Sequence, residues 1–410
     1  MIAGFARRDI TPDRSMSMAG FDRRKDPSAG TLDPLEVCAL ALSGVESTPF
    51  LMCVFDLLGT DSKLCVHIRE AIASRLDIPA ERIWVGATHT HSAPTGHFSG
   101  NQSYDETYVG RLTAEAISAA AEALAGMRPV TAAAAQSQAT GVASLRNRGR
   151  EGSEFPMPLP LIFLEGDERP LVLARISCHP TVLDERNLLY SRDLPGQLRD
   201  GVEADCLVLN GPCADLSTRF TRQASDPGEL TRLGKILADA VVTAKPQPAA
   251  DFGPEIKTAE HVVYLSRSAS LSGEVKDNIL SALRQKAAAC ADPQALREYD
   301  SRIAVLERSA VGAEKNRMIR IGAVNFGACI LVGVPFEVDY ADGQNLEQTL
   351  SEVAGKPVHL VCYTFGYDGY LPSGAPLSVE SSYEDIASRY LPESRGQVWE
   401  CAKQGVMEVM

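Results

Sequence analysis

The sequence predicts an α/β fold of mixed β-sheets flanked by helices, with a helical excursion near residues 271–308. Two observations carry that expectation. Short apolar, β-rich runs alternate with longer segments of helical period, the arrangement that lays helices against sheets and leaves strand ends to carry functional loops. No internal repeat or convincing linker interrupts the alternation, so residues 1–410 read as a single domain with the excursion inserted in it. At 45% hydrophobic and 23% charged, with no low-complexity tract, the chain is able to bury a sizeable core.

The elements follow in order. β-rich runs fall at 36–43, 50–57 and 82–88, where Leu51-Met52-Cys53-Val54-Phe55 and Ile83-Trp84-Val85 are continuous apolar stretches. Helix-period segments at 62–76 and 105–125 separate them from runs at 160–164, 171–178 and 204–210. A further helical segment, 227–244, precedes the excursion from Leu271 to Arg308. That stretch is rich in Ala, Glu, Lys and Arg, and strand-like sequence stands on both sides of it. Runs at 320–334 and 358–364 flank the last helical segment, 341–354.

Bulk properties exclude several classes of function. Forty basic against 53 acidic residues leave a net charge of −13, with no electrostatic footprint for nucleic acid and no polybasic patch for anionic membranes. The ten cysteines are scattered without a CxxC pair, several in strand-like contexts, which suits reduced and buried thiols. The opening MIAGFARRDITPD places charge where a signal peptide has its apolar stretch. No apolar run approaches the roughly 18–20 residues of a membrane span. A cytoplasmic protein with a small-molecule substrate is expected, with no nucleic-acid partner and no membrane insertion. Oligomeric state is not legible in one sequence.

Five short stretches carry chemistry. In Thr88-His89-Thr90-His91-Ser92-Ala93-Pro94, two of only seven histidines stand one residue apart just past a strand-like run. Residues i and i+2 of a strand share a face, so His89 and His91 either supply a pair of metal ligands or hydrogen-bond to loop backbone. His179-Pro180 ends another strand-like run, because proline removes a ladder donor. It is a structural histidine or a third imidazole. Asn210-Gly211-Pro212-Cys213-Ala214-Asp215-Leu216-Ser217 is a tight turn that either caps local backbone or brings a hydroxyl toward a reacting carbonyl. Gly333-Val334-Pro335-Phe336-Glu337 sets a carboxylate just after an apolar run, as a helix-start residue or as a hard ligand. Finally, Tyr363-Thr364-Phe365-Gly366-Tyr367-Asp368-Gly369-Tyr370 is an aromatic loop after His359-Leu360-Val361-Cys362.

These stretches, taken with Ala3-Gly4-Phe5, Met18-Ala19-Gly20-Phe21, Asp33-Pro34-Leu35 and Asp193-Leu194-Pro195-Gly196, resemble the neutral/alkaline (non-lysosomal) ceramidases and their shorter bacterial relatives. The motifs stand in the family's order and span nearly the whole chain. The resemblance implies one catalytic Zn2+ held by His89, His179, Glu337 and Tyr370. It implies His91 beside the metal as a proton-transfer or oxyanion-stabilising group, Ser217 as the motif serine, and Arg148 of Arg146-Asn147-Arg148 as the active-site arginine. The implied reaction is hydrolysis of a linear amide (N-acyl) bond by a metal-activated water.

Three departures stand beside these residues: Ala214 replaces a glycine, Thr218-Arg219 replace Pro-Asn, and Phe336 stands where many members have glycine. The chain also ends soon after the tyrosine loop, without the family's C-terminal immunoglobulin-like domain. A small soluble N-acyl substrate is therefore expected rather than ceramide. The alternatives are an esterase or lactonase on the same site, a true ceramide N-deacylase, a thiol hydrolase using Cys213, or a non-catalytic protein with a decayed site.

Overall fold

The structure is a computed structural model and describes residues 1–44, 47–99, 101–146, 155–248, 255–266, 273–308 and 316–410. It is a mixed α/β fold, as the alternation indicates. Among the described residues, two five-stranded sheets and one four-stranded sheet are flanked by nine α-helices.

In the first sheet the spatial order is Ile83–Ala87, Phe50–Phe55, Glu36–Ser43, Ile2–Asp9 and Arg128–Pro129. Only its first two strands are parallel, with Leu51 opposite Ile83 and Phe55 opposite Ala87. The helix Ser62–Leu76 makes the crossover that a parallel pair needs. Asp61 caps it by accepting the Lys63 N–H, and Asp77, at φ 55°, ends it in a left-handed turn. The second sheet runs Asp205–Asn210, Leu171–Ile176, Met157–Glu165, Thr131–Ala139 and Gln247–Pro248. Its parallel pair sets Leu171 opposite Asp205 and Ile176 opposite Asn210, with the helix Asp193–Asp200 in the crossover. The third runs Thr258–Leu265, Arg317–Asn325, Ile330–Gly333 and Val358–Val361, and Tyr340–Ala354 joins its parallel pair.

Packing ties the first sheet to the third. Gly322 and Gly333 face each other across paired strands, and their missing side chains leave room for two rings. A Cβ on Gly322 would stand 2.6 Å from Phe365 Cζ, and one on Gly333 would stand 3.0 Å from Trp84 Cζ3. Trp84 is fully buried, with its ring edge-on to Phe50 and Phe365. A second core lies between the second sheet and the helices Asp193–Asp200 and Pro227–Val242, joining Ile176 and Val208 to Leu194, Leu198, Leu230 and Leu237.

The excursion is a helical hairpin, Gly273–Ala289 and Pro293–Arg308, broken at Cys290. Its small core of Ile279, Leu280, Leu283 and Leu306 packs on Ile386 of the short helix Tyr383–Ala387. The run read as 320–334 is likewise two strands, Arg317–Asn325 and Ile330–Gly333. The chain reverses between them at Gly327, whose φ of 76° a glycine adopts without strain. All ten cysteines are free thiols, nine of them buried. Among the described residues no helix is long and apolar enough to cross a membrane.

Candidate active site

The three parallel pairs end at one place. The loop after Ile83–Ala87 carries His89 and His91, and the loop after Leu171–Ile176 carries His179. Asp205–Asn210 leads to Ser217, Ile330–Gly333 to Glu337, and Val358–Val361 to the tyrosine loop. Carboxyl ends of parallel strands are where α/β sheets build sites. Here the ends of three sheets are stitched together by backbone hydrogen bonds. Ala87 donates to Tyr363 (3.1 Å), Phe365 to Val85 (2.8 Å) and Cys362 to Asn210 (2.9 Å). The buried amide of Asn210 then donates to the Thr88 and Cys178 carbonyls at 3.3 and 3.2 Å, holding the two histidine loops side by side.

His89 and His91 converge, but not by strand alternation. The strand stops at Ala87, and His89 takes a left-handed backbone at φ 70°, a conformation that costs a non-glycine residue on the order of 1–3 kcal/mol and clusters at functional sites. The turn brings His91 Nε2 to 3.4 Å from His89 Nε2. The His89, His91 and His179 ring nitrogens all lie within 4.8 Å of one another.

Two of these imidazoles are locked by carbonyls. His89 Nδ1 is 2.6 Å from the Leu58 oxygen, and His179 Nδ1 is 2.7 Å from Cys213 and 3.0 Å from Leu216 oxygens. A carbonyl only accepts, so both Nδ1 atoms carry a proton, and in the neutral rings both Nε2 atoms present a lone pair. Those lone pairs face the Glu337 Oε2 at 3.5 Å from His89 and 3.0 Å from His179. Burial alone would push the Glu337 carboxyl up; without a cation, protons on the His89 and His179 rings would have to hold it well below the usual range. Burial, followed by the Arg146 charge, lowers His179. Glu337 is thus no helix-start residue, since the next helix begins at Tyr340.

This arrangement passes the test for a cation. A carboxylate oxygen and two lone pairs crowded together in a buried site repel unless positive charge lies among them, and burial opposes placing it on His179. Ligand atoms of a tetrahedral zinc lie about 3.3 Å apart, close to the separations seen. His91 differs from its neighbours: among the described residues its buried Nδ1 has no hydrogen-bond partner, and burial, with His89 and His179 nearby, lowers its pKa well below the ordinary value. Gly20, at φ 98°, lies against its ring, the Phe21 ring is edge-on at 5.0 Å, and Arg24 donates to its carbonyl at 2.8 Å.

The tyrosine loop is zipped to the glutamate loop, with Glu337 donating to the Gly369 carbonyl and Leu371 to the Glu337 carbonyl, each at 2.9 Å. The phenol that reaches Glu337 is Tyr367, whose hydroxyl donates to Oε1 at 2.6 Å. Tyr370 stands beside Glu337 in the backbone, while its hydroxyl accepts from Arg146 Nη2 at 3.1 Å. Burial, reinforced by the Glu337 charge, raises both phenols well above their ordinary range. Ser217 is buried, its backbone bridges to His179, and its Oγ accepts the Arg219 N–H at 3.3 Å.

Arg148 lies outside the described residues. Among the described residues the arginine at the site is Arg146, two positions earlier, held on Glu384 Oε1 by its Nε (3.0 Å) and Nη2 (2.7 Å). Sequence reading missed Arg146, Tyr367 and Asn210. Arg146 shares the short motif quoted for Arg148, and Tyr367 the aromatic loop that also holds Tyr370, so the pattern alone did not single them out. Cys213, the thiol alternative, is buried against the Tyr363 hydroxyl at 3.2 Å, and burial pushes its pKa up to about 12.

The fold and site together define an α/β scaffold that presents a buried imidazole–carboxylate cluster where its sheets meet. Comparison with solved structures narrows the scaffold. A structure of a ceramidase complexed with C2 matches with a TM-score of 0.77 at 15% identity, over 99% of this chain and 74% of that one. A neutral ceramidase from Pseudomonas aeruginosa matches with a TM-score of 0.78 at the same identity and coverage. No family profile and no curated protein matches the sequence. The chain has the neutral ceramidase fold.

Proposed function

We propose that this chain is a zinc-dependent amidohydrolase that cleaves the linear amide of an N-acyl compound. One observation carries the reading: Glu337 Oε2 and the lone-pair nitrogens of His89 and His179 face one another in a buried site, a donor set that suits zinc. These three residues would hold the metal, with Tyr370 as the fourth ligand implied by the sequence motif. When bound, zinc supplies Lewis acidity and a water of lowered pKa.

His91 is the proton carrier. It is neutral, its ring is not anchored by a carbonyl, and its Nε2 stands beside the ligand nitrogens. A neutral imidazole there accepts a proton from the attacking water and returns it to the departing amine. Arg146, its charge balanced by Glu384 and its Nη2 on Tyr370, is the described arginine able to stabilise the oxyanion. Ser217 accepts one hydrogen bond from Arg219 and keeps its own proton to donate toward the same oxygen. Cys213 faces a phenol rather than a base, which leaves the thiol without activation.

The experiment is hydrolysis of a panel of short N-acyl amides before and after chelation. Turnover that stops with chelator, returns with zinc and survives thiol alkylation is expected. Turnover indifferent to chelation but lost on alkylation contradicts the reading.

A further inference from the structure

We propose that the substrate amide carries a carboxylate, and that the Arg219 guanidinium receives it. The inference rests on the amidohydrolase reading and names the substrate class for that site.

Placement comes first. Leu216 and Ser217 pair with Leu145 and Ser144 in a two-stranded ribbon beside His179. Arg146 follows one strand of that ribbon and Arg219 stands two residues past Ser217 on the other, so two arginines leave one ribbon beside His179. Arg297 and Glu298 of the hairpin helix Pro293–Arg308 come within electrostatic reach of Arg219.

Partners come second. Four nearby arginines are answered: Arg146 by Glu384, Arg302 by Glu298 at 3.5 Å, Arg24 by the Ala19 and His91 carbonyls, and Arg222 by the Thr181 carbonyl. Arg219 is half-buried, yet among the described residues its guanidinium has no hydrogen bond or ion pair and lies only over the Phe220 ring, at 5.3 Å. The charges nearest to it are Arg297, Arg146 and Arg222, against Glu298, which Arg302 already engages. Three like charges around a partly desolvated cation are unfavourable until an anion joins them. A guanidinium receives a carboxylate through two parallel N–H bonds. An uncharged N-acyl lipid would leave Arg219 unanswered.

The test compares N-hexanoylglycine with its uncharged analogue N-hexanoylpropylamine on the zinc-loaded protein. Wild type is expected to favour the carboxylate in kcat/KM by about tenfold or more, the scale of a charge-assisted hydrogen bond. Arg219→Gln should bring the ratio near one, and Arg219→Lys should retain part of it. Equal cleavage of both compounds by wild type, or a preference that survives in Arg219→Gln, overturns the inference while leaving the amidohydrolase reading in place. If neither compound is cleaved, binding of both is read by calorimetry. Carboxylate-selective binding that Arg219→Gln abolishes upholds the inference and removes the amidase reading; binding without selectivity, or no binding, overturns it.

Discussion

His89 and His91 show how much one residue's backbone decides. The i, i+2 spacing suggested two ligands sharing a strand face, yet the strand ends before them and the left-handed turn at His89 makes the rings meet. The hydrogen bonds at Nδ1 then separate their work. His89 and His179 are anchored through Nδ1, as metal-binding imidazoles are, whereas His91 is held by packing alone. Gly20 is central to that packing: a Cβ there would lie 2.4 Å from His91 Cγ, on a backbone at φ 98° that disfavours any side chain. Gly20→Ala is therefore expected to displace His91 and lower kcat/KM about a hundredfold, the cost of an ångström-scale misplacement, while zinc content stays at the wild-type level. Unchanged kcat/KM would show that His91 does not need its present position. This role of Gly20 was not legible in Met18-Ala19-Gly20-Phe21, because the contact spans 71 positions of chain that only the fold brings together.

At the scale of elements, pattern exposed the strands with continuous apolar runs and hid those whose faces differ. Ile2–Asp9 is buried only at Ala3 and Gly4 and ends in Arg7-Arg8-Asp9, so its polar end obscures its pairing with Glu36–Ser43. Thr131–Ala139 is alanine-rich and reads as helix by propensity, but nine paired residues with Met157–Glu165 make it a strand. The crossover helix Asp193–Asp200 is short and opens with an unusual residue. Asp193 stands at φ 50°, and its carboxylate accepts the Val182, Leu183 and Leu194 N–H groups, fixing the loop that follows His179. Burial outweighs those hydrogen bonds and raises its pKa to about 6 from 3.8. The folded state then binds a proton more tightly than the unfolded chain does. Stability from this group is full below about pH 4 and is lost as pH rises through about 6. Unfolding free energies of wild type should accordingly fall relative to Asp193→Asn between those values, by about 3 kcal/mol for a shift of this size. A difference that is flat with pH would place the ionisation elsewhere.

For the whole molecule, the site belongs to no single segment. Its proposed metal-binding residues, 89, 179 and 337, are delivered by one parallel pair in each of three sheets, and Asn210 ties two of those deliveries together. This is why the motifs were legible singly but their meeting was not: nothing in the spacing of His89, His179 and Glu337 states that three sheet ends converge. The resemblance supplied that convergence as an expectation, and the ceramidase-like fold agrees with it. A site built only by the finished fold couples metal binding to folding.

The central claim is best tested by the metal content of chains purified without chelator, read by elemental mass spectrometry. Wild type should carry about one zinc per chain, folded Glu337→Ala and His179→Ala should carry little, and His91→Ala should keep its zinc while losing turnover. A folded wild-type chain without metal, or a Glu337→Ala chain with its full complement, would contradict the account.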